Sequence, residues 1–80
     1  MYIYVEVAID TSSTSQRIRQ LMAERNITVS ELTRCIGVRD STLRRWRSGT
    51  SVPNLNDALT LAALFDLPVE SIIVYHKTLM

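Results

Sequence analysis

The side chains best suited to chemistry lie in one eleven-residue segment, VRDSTLRRWRS, between Gly37 and Gly49. It holds four arginines, at positions 39, 44, 45 and 47, and the only tryptophan of the chain, Trp46, whose i+3 spacing from Leu43 predicts a core residue. A guanidinium group is a planar fork of N–H donors that matches phosphate oxygens and the O6 and N7 atoms of guanine. This composition predicts binding to a nucleic acid rather than catalysis.

Catalytic and metal chemistry find little support in the sequence. The chain has one histidine, His76, and one cysteine, Cys35, with no glycine-rich phosphate loop and no paired carboxylates on a common face. We therefore predict a protein that is not an enzyme and that needs no metal or cofactor. Cys35 is either a redox sensor beside Arg34 and Arg39 or a surface thiol without a role, and His76 is predicted to be a surface residue.

Gly37 and Gly49 are the only glycines and indicate how the arginine segment is positioned. Glycine adopts the left-handed conformation that ends a helix without steric cost. Two such stops predict a helix ending at Gly37, a tight turn and a short helix ending at Gly49. A short basic helix after a tight turn suits the major groove of DNA.

Helices are predicted on both sides of this pair. A polar run, DTSSTSQ, offers a helix N-cap at Thr14 or Ser15, with a helix from Gln16 to about Arg25. A capping box of Thr28 and Glu31 predicts that the next helix begins near Val29.

Later in the chain, Asn54 caps a fourth helix with an apolar stripe ending near Phe65. Pro68 suits the first turn of a short fifth helix. Residues 2–9 alternate between two faces and predict a strand, and the β-branched tail predicts a second. These end strands can pair antiparallel.

The fold class is thus mainly α, in one domain spanning residues 1–80. It comprises an N-terminal strand at 1–10, a five-helix core at 15–73 and a C-terminal strand or tail at 72–80. The formal net charge is only +1, but Arg34 to Arg47 contains five arginines against one acid, Asp40. The single cysteine and the lack of an apolar stretch long enough to span a bilayer predict a cytoplasmic protein without a membrane partner.

From Arg17 to Ile73 the chain resembles the lambda-repressor-like helix-turn-helix family of phage and bacterial regulators. The matching residues are Ile18, Leu21, Ile27, Leu32, Ile36-Gly37-Val38, Ser41-Thr42-Leu43, Arg45-Trp46, Gly49, Pro53, Leu55, Leu59, Leu61-Ala62, Leu67 and Ile72-Ile73. The resemblance implies binding of double-stranded DNA by a recognition helix, the third. The positions that it implies for base contacts are Arg39, Asp40, Ser41, Arg44 and Arg45. Phosphate contacts fall at Val29 and Ser30, and at Ser48 and Thr50.

Three residues depart from the family pattern. Thr33 stands where the family usually has alanine, which predicts slightly different packing between the second and third helices. Arg39 replaces a Ser or Thr cap, so the capping role can pass to Asp40. Val29 replaces a frequent Gln and cannot donate a side-chain hydrogen bond.

Several side-chain roles stay open at this point. Arg45 contacts either a guanine or a phosphate, and Arg44 has the same two alternatives. Arg47 either contacts DNA or forms an ion pair with Asp57 or Asp66. Asp40 either accepts from cytosine N4 or stabilises the start of its helix.

Two functions follow. The first is a dimeric, sequence-specific transcriptional regulator on a near-palindromic operator. The second is a protein-interaction module or DNA-binding antitoxin whose terminal strands bind a partner protein.

Overall fold

The structure is a computed structural model that describes residues 4–79. Over these residues the chain forms four α-helices, one turn of 3₁₀ helix and two strands. In chain order they are β1 (Val5–Ile9), α1 (Thr11–Arg25), α2 (Val29–Ile36), α3 (Asp40–Ser48), α4 (Leu55–Phe65), a 3₁₀ turn (Val69–Ser71) and β2 (Tyr75–Leu79). The parts of the predicted terminal strands at residues 2, 3 and 80 lie outside the described residues.

The first helix begins earlier than the sequence predicts. Its N-cap is Asp10, whose Oδ1 accepts a hydrogen bond from the Ser13 amide at 2.9 Å. The predicted caps, Thr14 and Ser15, are instead buried inside α1. The predicted boundary was therefore wrong by about one helical turn.

Tertiary partners explain why this polar run is helical. The hydroxyl of Thr14 accepts a hydrogen bond from the Val74 amide at 2.9 Å. The hydroxyl of Ser15 donates to the carbonyl of Arg47 at 2.6 Å. Local preference favours a loop for Ser and Thr, because their hydroxyls compete for backbone groups, but here those hydroxyls are engaged elsewhere.

The predicted helix-turn-helix is present. Thr28 and Glu31 form the predicted capping box at the start of α2. Gly37 ends α2 with φ 73° and Gly49 ends α3 with φ 79°, both left-handed as predicted. The turn between the helices therefore has only three residues, 37–39.

The predicted fifth helix was wrong. Asn54 caps α4 as expected, but the segment after Pro68 makes a single 3₁₀ turn, Val69–Ser71. The amides of Ser71 and Ile72 each donate to the carbonyl three residues back, at 3.0 Å, which is the hydrogen-bond pattern of a 3₁₀ helix. Ile72 ends this turn and is fully buried in the core. The helical core accordingly has four α-helices instead of five.

One apolar cluster holds the helices together, with α3 packed against α1 and α2, and α2 against α4. Its buried members are Ile18, Leu21, Met22, Leu32, Leu43, Trp46, Leu61, Ala62, Phe65 and Ile72. Trp46 is 3 % exposed, as expected for a core residue at i+3 from Leu43. Burial of this cluster is the main source of stability for a domain of this size.

The two strands pair with each other within one chain. They form an antiparallel ribbon in a register that runs from Val5 opposite Leu79 to Ile9 opposite Tyr75. The base of the ribbon is fastened to α1, because the Asp10 amide donates to the Val74 carbonyl at 2.8 Å. Every residue of both strands is exposed, so the ribbon projects from a molecule with extents of 46 × 24 × 21 Å.

Candidate nucleic-acid interface

Helix α3 has a buried side and an arginine side. Leu43 and Trp46 point into the core with 0 % and 3 % exposure. Arg39, at the N-cap position, and Arg44 and Arg45 are exposed. The apolar anchors therefore fix which face of α3 meets the solvent.

The three exposed guanidinium groups have no side-chain partner in the part of the chain that the structure describes. Within residues 4–79, the one contact at salt-bridge distance joins the His76 imidazole to the Asp10 carboxylate at 3.2 Å, far along the chain from α3. No side-chain hydrogen bond engages the guanidinium of Arg39, Arg44 or Arg45 in that part of the chain. An unpaired cation on a rigid helix is available for phosphate oxygens or base edges.

Asp40 is held by α2. It is the first residue of α3, and its Oδ1 lies 3.0 Å from the hydroxyl of the buried Thr33. The Thr33 hydroxyl also lies 3.0 Å from the carbonyl of Ser30. Since a hydroxyl has one proton, it shares that proton between these two acceptors.

The expectation that Asp40 takes over the cap from Arg39 was wrong. Arg39 keeps the N-cap position through its backbone, without a side-chain cap, and its carbonyl accepts from Leu43. The Asp40 carboxylate is instead turned toward Thr33, which occupies the expected alanine position. The acid still lies in the first turn, where it favours the helix dipole.

The positions predicted for phosphate contacts lie at two places. Ser48 and Thr50 are exposed just past α3, with their hydroxyl oxygens 2.9 Å apart. Ser30 is exposed in the first turn of α2, where its hydroxyl accepts from Arg34 at 3.3 Å. Ser41 is also exposed near the start of α3, whereas Val29 packs against the core.

Arg47 differs from the other arginines of α3. It is partly buried, and its Nε is a buried atom without a hydrogen-bond partner within residues 4–79. The predicted ion pair with Asp57 or Asp66 does not form in this part of the chain. The two acids lie at opposite ends of α4, whereas the end of α3 packs against α1.

Sequence reasoning missed Arg19 at the same end of α3. One of its Nη1–H groups donates to the Arg47 carbonyl, and Nη1 lies 2.6 Å from the Ser15 hydroxyl. A cation there complements the negative end of the α3 dipole. The signal was its place outside the apolar stripe of α1, but only the fold brings it to α3.

The remaining candidate residues, Cys35 and His76, form no metal-binding cluster within residues 4–79. Cys35 is an exposed free thiol, and His76 is an exposed side chain 3.2 Å from Asp10. Among residues 4–79 no three His, Cys, Asp or Glu side chains are placed to hold a metal ion. No helix in this part of the chain is both long and apolar enough to cross a bilayer.

Comparison with known proteins agrees with this geometry. Residues 17–78 match the family model of the Cro/C1-type HTH DNA-binding domain, so the match continues through the 3₁₀ turn into β2. No curated protein has a significant sequence match to the chain.

A solved structure described as a transcriptional regulator from Listeria innocua has a similar fold, with a TM-score of 0.71 at 18 % sequence identity. The similarity covers 75 % of this chain and 56 % of that chain. This chain thus spans only about half of that regulator. The family match extends over most of the sequence, from α1 to β2, and the chain belongs to the Cro/C1-type helix-turn-helix DNA-binding domain family.

Proposed function

We propose that this protein is a sequence-specific regulator of transcription that binds double-stranded DNA with α3 in the major groove. The observation that carries the proposal is the two-sided character of α3. Leu43 and Trp46 are buried, while the guanidinium groups of Arg39, Arg44 and Arg45 are exposed and unpaired within residues 4–79. A helix held this way can enter the groove without rearranging.

The contacts divide by position on the interface. Arg44 and Arg45 lie on the exposed part of α3 and are assigned to base edges, with Arg39 and Ser41 at its start. Asp40 belongs to the same end, where Thr33 engages Oδ1 and leaves Oδ2 to accept from cytosine N4. Positioning contacts to phosphate are assigned to Ser30, Ser48 and Thr50.

The regulator acts as a dimer in this proposal. A nine-residue α3 reaches only a few base pairs, so high selectivity needs a second half-site. Two copies would place their α3 helices in successive major grooves about 34 Å apart on a near-palindromic operator. Duplex DNA as ligand and an exposed Cys35 thiol fit action in the reducing cytoplasm.

Selection of bound duplexes from a random pool, followed by titration at several salt concentrations, tests the proposal. We expect the logarithm of affinity to fall linearly with the logarithm of salt, with a slope of about −0.9 per phosphate contacted. Arg44→Ala should weaken binding. Arg25→Gln, which removes the same charge from the last turn of α1, is the matched control and should leave affinity nearly unchanged. Absence of binding to any duplex at low salt would refute the proposal.

A second candidate function rests on the ribbon. Both of its strands have a free edge, and a partner protein can add a strand to such an edge. In that case the helix-turn-helix is a scaffold, or the protein is an antitoxin that binds both DNA and a toxin. Recovery of a stable complex with another protein, together with undetectable duplex binding, would favour a protein-interaction module in which the helix-turn-helix serves only as a scaffold.

A further inference from the structure

The two faces of the ribbon differ in character. Residues directly opposite each other in an antiparallel pair project to the same face. The register therefore places these side chains together on one face: Val5, Val7, Ile9, Tyr75, Lys77 and Leu79. The other face carries Glu6, Ala8, His76 and Thr78.

The apolar face of the ribbon leads into a groove on the helical core. Ile9 and Tyr75 line this groove together with Leu55 of α4, and its volume is about 340 Å³. Leu55 is 73 % exposed, and Val7 in the middle of β1 is 58 % exposed. We name the six exposed side chains along this path the ribbon-groove surface: Val5, Val7, Ile9, Leu55, Tyr75 and Leu79.

The extent of this surface matches a protein interface. Its six side chains are each between 44 and 73 % exposed. Together they expose on the order of 600 Å², close to the ~800 Å² per partner that a standard interface buries. An area of this size is at the upper end of the roughly 300–600 Å² of the largest apolar patch on a typical monomer, and such patches are often functional. A two-stranded ribbon is also marginally stable alone, so both considerations favour an occupant for the ribbon-groove surface.

The charges at its border point to an occupant with the same surface. Lys77 lies on the apolar face of the ribbon, and Glu70 lines the groove. Neither forms an ion pair within residues 4–79. A two-fold axis that sets the ribbon of each copy against the groove of the other would let each Lys77 meet the partner's Glu70. With one cation, Lys77, offset by one acid, Glu70, the surface carries no excess positive charge to attract phosphates.

We propose that the ribbon-groove surface is where a second copy of this chain docks, forming a symmetric dimer. The inference rests on the proposed function only in that a near-palindromic operator requires two copies. The two ribbons bury their apolar faces against the partner. The α3 arginines, none of which belongs to this surface, stay free for DNA.

Sedimentation equilibrium of the full 80-residue chain without DNA tests this inference. We expect a dimer, and we expect Ile9→Glu to raise its dissociation constant at least tenfold, because it buries an unpaired carboxylate opposite Tyr75 and beside the groove that Glu70 lines. Ala8→Glu is the matched control, since it adds the same charge to the neighbouring residue on the opposite face. It should leave the dimer intact.

A second variant, outside the ribbon, tests whether loss of the dimer results from misfolding of the ribbon. Leu55→Glu changes the first residue of α4, which is largely exposed and where an acid favours the helix dipole. Leu55→Glu should retain the helical circular-dichroism signal of the wild type and should dissociate the dimer. Asn56→Glu, the matched control, should retain both the signal and the dimer. A monomeric wild type, or a Leu55→Glu protein as dimeric as the wild type, would overturn the inference.

DNA binding separates this failure from failure of the proposed function. A wild-type dimer that binds no duplex would refute the proposed function in transcription but not the proposed docking surface. A wild-type monomer that binds duplexes with the expected salt dependence would refute the docking surface alone. Capture of a different protein or an apolar small molecule by a monomeric wild type would likewise overturn the second-copy assignment.

Discussion

The hydroxyl of Thr33 lies 3.0 Å from Oδ1 of Asp40 and links the middle of α2 to the first residue of α3. Thr33 is buried, with 6 % exposure, while Asp40 is exposed at the proposed DNA interface. This link fixes the start of α3 where Arg39 supplies no side-chain cap. The angle of the helix-turn-helix therefore depends on one buried side-chain contact as well as on apolar packing.

Thr33→Val should lower the free energy of unfolding by about 1 kcal/mol, because it removes the hydroxyl while keeping the branched shape. A double-mutant cycle with Asp40→Ala isolates the pair, and we expect a coupling of at least about 0.5 kcal/mol. Urea unfolding monitored by Trp46 fluorescence gives these values. Strict additivity of the two substitutions would show that the contact contributes nothing.

Arg45→Ala should relax base preference at one base pair in each half-site, with a loss of about 1–3 kcal/mol of discrimination. Arg45→Lys separates charge from shape, since lysine keeps the cation but cannot form the bidentate fork. It should keep the salt dependence of the wild type and lose the base preference. Titration over operators mutated one position at a time measures both. Unchanged selectivity in Arg45→Ala would assign this arginine to phosphate instead.

Gly49→Ala should destabilise the fold by about 1–2 kcal/mol through backbone strain, because position 49 has φ 79°. A Cβ there would lie 3.8 Å from Ser15, an ordinary contact, so steric overlap is not the cause. Gly49→Asn should cost less, since asparagine tolerates the left-handed region better. Thermal unfolding of the two variants compares them, and equal losses would contradict a backbone origin.

The free energy of unfolding should decrease as pH falls, and Asp10 should contribute to this pH dependence. The hydrogen bond from the Ser13 amide, and then that with His76, hold the pKa of Asp10 below its ordinary value. Its contribution is therefore present above the unfolded-state pKa of about 4 and is lost as pH falls through the lower folded-state pKa. Asp10→Asn keeps a capping oxygen without titrating, so unfolding free energy should depend less on pH below about 4.

Glu31 adds to the same slope, because hydrogen bonding by Thr28 lowers its pKa as well. Some acid dependence should therefore remain in Asp10→Asn and decrease further when Glu31→Gln is added. Urea titrations at a series of pH values measure the slopes. Identical slopes for the wild type and Asp10→Asn would show that Asp10 does not contribute.

Local signals in the sequence were sufficient for the helix-turn-helix. Gly37 and Gly49 each mark a helix end because the left-handed conformation favours glycine at that one position. The Thr28–Glu31 capping box has a fixed spacing and formed as predicted. Alternating residues predicted the first strand of the ribbon and β-branched residues the second, and both are present in the part of the chain that the structure describes.

The errors arose where distant residues decide the local conformation. Thr14 and Ser15 were expected to cap α1, but bonds to Val74 and Arg47 place them inside it. Val74 and Arg47 are not sequence neighbours of Thr14 and Ser15, so propensity could not find them. The segment after Pro68 was expected to be α-helical but makes only a 3₁₀ turn that ends at the buried Ile72.

The sequence by itself determined the order of the helices, the two stops around the arginine segment and the core role of Trp46, because caps and apolar periodicity act over a few residues. Only the tertiary structure decided that Arg47 turns partly inward while Arg19 reaches the end of α3, since those positions depend on how α1 and α3 pack. It also decided that the ribbon forms within one chain and leaves its apolar face exposed, because strand register joins residues some 70 positions apart.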